Sequence, residues 1–141
     1  MHLVLSTLLT LTVQNAAPAG WTWTLYENEG PLVFAEEVPD TARLRTTLEC
    51  QPGSGAVMLD IYDSPASDGF ARITAADASA TSEARVTRGR LETTVRVDHP
   101  AFNAFVASGR MTVSVGDSQK RVTVPPEHLA RLRRFADRCA G

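Results

Sequence analysis

Apolar and polar residues alternate with a period of two through most of this chain, and that rhythm restricts it to a sheet-rich fold. Side chains of an extended strand point to opposite faces in turn, so alternation marks a ribbon with one buried and one wet side. Residues 42–50 carry it most clearly. Ala42, Leu44, Leu48 and Cys50 share a face, interrupted only by Thr46, while Arg43, Arg45, Thr47 and Glu49 look the other way. The turn sequence PGSG (52–55) follows, then Val57, Leu59 and Ile61 on one face of a return strand, so 42–50 and 56–63 should form a hairpin. WTWTLY (21–26) and LVFAEE (31–36) read as a second hairpin, with Trp21, Trp23 and Leu25 on one face. FARIT, SEARVTR and LETTVRV continue the pattern, the last placing Leu91, Thr93, Val95 and Val97 together. RMTVSVG and KRVTVP are two more strands joined at GDSQ.

The period changes twice. In HPAFNAFVASG, Pro100 suits a first helical position, Phe102, Phe105 and Val106 fall on one helical face, and Gly109 suits the residue just past the end. In PPEHLARLRRFADRC, Leu129, Leu132, Phe135, Ala136 and Cys139 recur at spacings of three and four, an apolar helical stripe. The expected fold is mainly β: an antiparallel sheet or small β-sandwich of about eight strands, a short helix near 100–108 and a C-terminal helix near 126–138. No strand–helix–strand alternation suggests a parallel sheet.

Residues 3–13 (LVLSTLLTLTV) form an apolar run of signal-peptide length, too short for a bilayer-spanning helix. Ala17 and Ala19 supply the small-x-small pattern that signal peptidase accepts, so residues 1–19 read as an export signal cut after Ala19. Only Met1 and His2 precede the apolar run, and LTLTVQ can alternatively be read as a first strand. Residues 20–141 then form one β-rich domain, long enough for a single core. No second apolar stretch approaches the ~20 residues of a membrane helix. The expected location is periplasmic or secreted.

Cys50 and Cys139 are the only cysteines, one on the inward face of the best strand and one on the stripe of the last helix. In an exported protein such a pair oxidises, so a long-range disulfide between them is expected. Two buried free thiols would be the outcome in a cytosolic protein.

A net charge of −2 argues against non-specific nucleic-acid binding. Residues 20–63 hold eight acids against two arginines, whereas residues 110–141 hold seven bases against three acids. Either the two ends lie together in the fold and attract, or a two-signed surface meets a partner.

Residues 102–139 run as aromatic residues, SG, a Val-rich strand (MTVSV), a turn, a second strand (RVTV) and a helix ending in cysteine. This C-terminal third resembles the closing module of small exported bacterial proteins of the invasion-associated locus B type, and is similar to that of the related type VI secretion accessory proteins. Pro125, Pro126 and Glu127 stand where those proteins open the helix with a glycine–aromatic step. The resemblance implies an exported, non-catalytic β-rich protein and transfers no site residues.

Recognisable chemistry is sparse. His99 reads as a helix-opening residue and His128 as a solvent-facing one, and no two histidines have ligand spacing. Ser54 and Ser108 sit in a turn and at a helix end, without a nucleophile motif. Asp60, Asp63, Glu36, Glu37 and Asp40 could supply carboxylate pairs, but read first as a solvated acidic face. DSPASDG (63–69) is oxygen-dense without the spacing of a calcium loop. No catalytic, cofactor-binding or metal residue is assigned, and no cofactor is expected. The reading is an exported, non-catalytic accessory or binding protein whose partner is another envelope protein. The alternative is a small hydrolase built from dispersed carboxylates and His99. Trp21 and Trp23 are either core or, if exposed, a platform for a partner or a glycan.

Overall fold

The computed structural model describes residues 20–141. The export segment and the alternative first strand within it lie outside the described residues. Nine strands form one antiparallel sheet: β1 Thr22–Tyr26, β2 Leu32–Glu37, β3 Leu44–Cys50, β4 Ala56–Ile61, β5 Gly69–Ala75, β6 Ala78–Thr87, β7 Arg90–Arg96, β8 Arg110–Val115 and β9 Ser118–Thr123. Two helices accompany them, α1 (Pro100–Ser108) and α2 (Leu129–Ala140), the second entered through a 3₁₀ turn at Pro126–His128. The mainly β expectation therefore holds, with the last helix a few residues later than its pattern suggested. The strand expected over 42–50 starts at Leu44, since Ala42 and Arg43 belong to an exposed turn.

The sandwich alternative does not form. The strands run in one continuous order, β1-β2-β3-β4-β7-β6-β5-β8-β9, curled into a half-barrel. Both helices lie on its hollow side and bury its apolar face, so no second sheet is required. The order is not sequential. The loop 62–68 carries the chain from β4 past the places of β7 and β6 to β5. From β7 the chain must reach β8 beyond β6 and β5, and α1 is that crossover, packed on β5, β6 and β8.

α1 is bounded by local chemistry at both ends. The His99 imidazole Nδ1 accepts the Ala101 N–H at 3.0 Å, satisfying one of the free donors of the first turn. Pro100 follows in the position where its missing N–H costs nothing. Gly109 closes the helix with φ +76, in the left-handed region. A Cβ there would lie 2.4 Å from the Val124 carbonyl oxygen, so the position needs glycine for space as well as conformation.

The core is a chain of rings inside the curl. Trp23 packs at 4.8 Å on Phe34, which lies 6.3 Å from Phe135 of α2. Phe102 and Phe105 of α1 fill the other half, 6.0 Å apart. The inward sets Val57/Leu59/Ile61 and Leu91/Thr93/Val95/Val97 are buried as the alternation required. Thr93 donates to the Glu83 carbonyl at 3.0 Å. Thr46, the interruption in the inward face of β3, is fully buried and its hydroxyl has no partner among the described residues.

The disulfide forms. Cys50, at the end of β3, is bonded to Cys139 of α2, with 5.9 Å between Cα atoms and a sequence separation of 89. Both cysteines are buried. Around the bridge, Gly53 N–H donates to the Arg138 carbonyl at 3.0 Å and Gly55 N–H to the Cys139 carbonyl at 2.9 Å. The β3–β4 turn thereby satisfies two carbonyls that the end of α2 would leave open. Among the described residues, no helix is long and apolar enough to cross a membrane.

Candidate functional site

Because the helices fill the hollow side, the surfaces open to a ligand are the outer face of the sheet and the seam between its edges. The edge strands β1 and β9 do not pair. Side chains close the gap: Trp23 Nε1 donates to the Thr123 carbonyl at 3.0 Å, and Arg131 Nη1 to the Trp23 carbonyl at 3.4 Å. His128 lies between them, Nε2 3.4 Å from the Thr22 hydroxyl and Nδ1 3.3 Å from Arg131. His128 is therefore half-buried in the seam rather than facing solvent. A hollow of about 190 Å³ sits here, lined by Trp21, Trp23, Glu36, Glu127 and His128 among others.

Trp21 and Trp23 part company. Trp23 is core, 2% exposed. Trp21 is half-buried beneath two guanidinium groups, Arg45 at 4.0 Å and Arg43 at 5.2 Å from its ring centre. No open aromatic platform results. A β-bulge explains the geometry: Glu36 pairs with Thr46 and Glu37 with Leu44, so Arg45 is an extra residue on β3. Bulges re-aim side chains, and this one lets Arg45 cover Trp21 while bonding Glu36 at 2.9 Å.

The remaining carboxylates divide. Glu37 accepts from the Tyr26 hydroxyl, which raises that phenol's pKa. Asp68 accepts the Val86 N–H at 2.6 Å. Asp40 and Asp63 occupy left-handed turn positions, φ +62 and +53. Glu27 binds Arg134 at 2.6 Å and Arg138 at 3.0 Å, which holds its carboxyl below the usual range. That contact joins an acid of the first strand region to bases of the last helix. The two ends of opposite charge do meet, in part.

Asp60 departs from the solvated face expected of it. It points outward from β4, yet is only 5% exposed. Thr47 and Glu92 flank it in register on β3 and β7, and Arg90 lies 3.8 Å away. Its Oδ1 is buried without a hydrogen-bond partner among the described residues. Burial, opposed by Arg90 and reinforced by Glu92 and Glu49, pushes its pKa up to about 6. Arg90 is itself committed to this cluster, binding Glu92 at 2.5 Å and lying 5.8 Å from the Tyr62 ring.

The other half of the outer face is basic. A hollow of about 370 Å³ over β5, β8 and β9 is lined by Arg110, Arg121, Thr74, Thr112 and Thr123, with Ala75, Ala76, Met111 and Val122 as its floor and rim. Neither arginine makes an ion pair among the described residues.

His99, the centre of the hydrolase alternative, has Nδ1 committed to the α1 cap. The shallow hollow beside it is lined by Ala80, Thr81, Ser82, Thr94, Val95 and Arg96, which include no carboxylate. Among the described residues, no group of three or more His, Cys, Asp or Glu side chains could hold a metal ion. Alternation predicts which faces these residues share, but not which strands adjoin. The arginine hollow, the seam histidine and the covered Asp60 therefore escape it. Comparison with family models, curated proteins and solved structures gives no match.

Proposed function

We propose that this chain is an exported, non-catalytic accessory or binding protein of the bacterial periplasm or cell envelope, acting on another envelope protein through the outer face of its sheet. One observation carries the reading: the buried bond between Cys50 and Cys139, which fastens the terminal helix across 89 residues of chain. Structural disulfides of this kind persist in oxidising compartments. The signal-like residues 1–19 and the likeness of residues 102–139 to invasion-associated locus B proteins support the same reading. So does the filled hollow side, which leaves recognition to the exterior of the half-barrel. The hydrolase alternative gains nothing from the geometry, since His99 serves the helix cap and faces no carboxylate pair.

Cell fractionation followed by intact mass measurement tests this. The expected product is extracytoplasmic, begins at Gly20 and gains two hydrogens on reduction. A full-length cytosolic product with two free thiols would overturn it.

A further inference from the structure

We propose that the hollow over β5, β8 and β9 binds the tetrahedral oxyanion of a soluble phosphorylated ligand. This goes beyond the envelope reading and does not depend on it.

The β8–β9 hairpin sets the geometry. Arg110 pairs with Thr123 and Thr112 with Arg121, so the two arginines are diagonal neighbours on one face. Diagonal positions lie about 7 Å apart, within reach of a common anion for side chains of this length. Thr74 of β5 continues the row, opposite Thr112. Both arginines are exposed, and neither has a carboxylate partner among the described residues. Adjacent like charges repel. Asp117 sits in the β8–β9 turn at the opposite end of the hairpin, and Asp77, in the β5–β6 turn beside Ala76 at the Arg110 end, makes no ion pair with either arginine among the described residues. The fold can relieve such repulsion, and does so at β4 and β7, where Arg90 answers Asp60 and Glu92.

Donors converge here with no carboxylate among the residues lining the hollow. Each guanidinium offers five N–H groups in a planar fork, and the hydroxyls of Thr112 and Thr123 can add two more donors, while that of Thr74 is shared with Ser79 at 3.1 Å. Two forks suit the oxygens of a phosphate, which they can grip bidentately from two sides. The ligand is a discrete phosphate ester and not an anionic membrane surface. The other end of this face carries Phe70, 71% exposed, with Glu83 directly opposite it and Asp117 in the adjoining turn. Glu83 is neutralised by Arg85 at 3.4 Å and Asp117 is negative, so that end offers little to draw an anionic bilayer onto the face.

The test titrates pyrophosphate into the oxidised protein at constant ionic strength, read by calorimetry and by backbone amide shifts. Saturable binding is expected, with shifts confined to β8, β9 and the Thr74 end of β5. R110Q and R121Q should each weaken it about tenfold or more, the loss of a charge-assisted hydrogen bond. R121K keeps the charge without the fork and should also weaken it. R133Q removes an exposed charge on α2 and should leave affinity unchanged. Equal weakening by R133Q would reduce the effect to net charge and overturn the site, as would a titration without saturation. Binding to phosphatidylglycerol vesicles with none to pyrophosphate would overturn the choice of a soluble ligand.

Discussion

The two halves of the sheet are held in different ways. The half made of β1 to β4 takes its helix from the far end of the chain and fastens it with a covalent bond. α2 is tied to β3 through Cys50–Cys139, to the β3–β4 turn through Gly53 and Gly55, and to Glu27 through Arg134 and Arg138. The half made of β5, β6, β8 and β9 takes α1, which enters directly from β7 and leaves directly into β8. No crosslink holds it. Its position follows from a cap at His99 and a left-handed glycine at 109. The lesson concerns contact distance along the chain. A helix that covers the strands beside its own connections needs only correct ends, whereas one that returns from far away must offset the entropy of closing a long loop.

The largest test breaks the first half. Replacing both cysteines by serine removes a crosslink over 89 residues, which the chain-entropy model values at roughly 4–5 kcal/mol, against measured values of about 2–5. Urea unfolding of the C50S/C139S protein should show a loss in that range. Hydrogen exchange should accelerate first in α2 and the β3–β4 turn, and last in α1 and β5. Uniform acceleration across both helices would mean that the halves do not differ in what secures them.

The second test breaks the other half. G109A forces a side chain into the left-handed region and sets its Cβ against the Val124 carbonyl and the Leu129 side chain. The conformation alone costs about 1–2 kcal/mol, and the backbone clash adds to it. A loss of roughly 2–4 kcal/mol in urea unfolding is expected, with early exchange now in α1 and at the start of β8. The same substitution at Gly89, where a Cβ meets nothing within 4 Å, supplies the conformational cost without the clash. If the two variants lose equal stability, crowding at Gly109 plays no part.

What residue order can reveal follows from the same physics. The period-two pattern reports which side of a ribbon is buried, and that pattern alone directs Val57, Leu59, Ile61, Leu91 and Val95 inward, where all five are buried. Short-range chemistry bounds α1 between His99 and Gly109 because both ends are decided by neighbouring residues. The cysteine pair is legible because each member lies on an inward face. Alternation carries no information on which strand adjoins which, so the β4–β7 and β5–β8 pairings are not visible in it. Everything that depends on those pairings is hidden with them. Asp60 looks like an ordinary wet carboxylate because its burial comes from Thr47 on one neighbour and Glu92 and Arg90 on the other. The number of sheets is hidden too, since curling depends on twist and on the bulge at Arg45.

The smallest test sharpens the contrast between the outer faces, one neutralised from within and one left basic. Asp60 has a folded pKa of about 6 against 3.8 when exposed. Between about pH 4 and pH 6 the folded protein therefore keeps a proton that the unfolded chain has released. Stability must fall as pH rises through that window, because the unfolded state binds fewer protons there. The cost is absent below about pH 4 and complete above about pH 6, on the order of 3 kcal/mol for a shift of this size. Asn at this position would keep a buried polar group but lose the charge, recovering about 1–2 kcal/mol of it. Urea midpoints of D60N should lie below those of the unaltered protein near pH 4, by the roughly 1–2 kcal/mol that is not recovered, cross them as pH rises, and reach a plateau with D60N the more stable above about pH 6. Exposed acids such as Glu27 and Asp98 titrate equally in both proteins and cancel in the difference. A constant offset at every pH would mean that Asp60 ionises as an open carboxylate, and that Arg90 and Glu92 form a surface pair like any other.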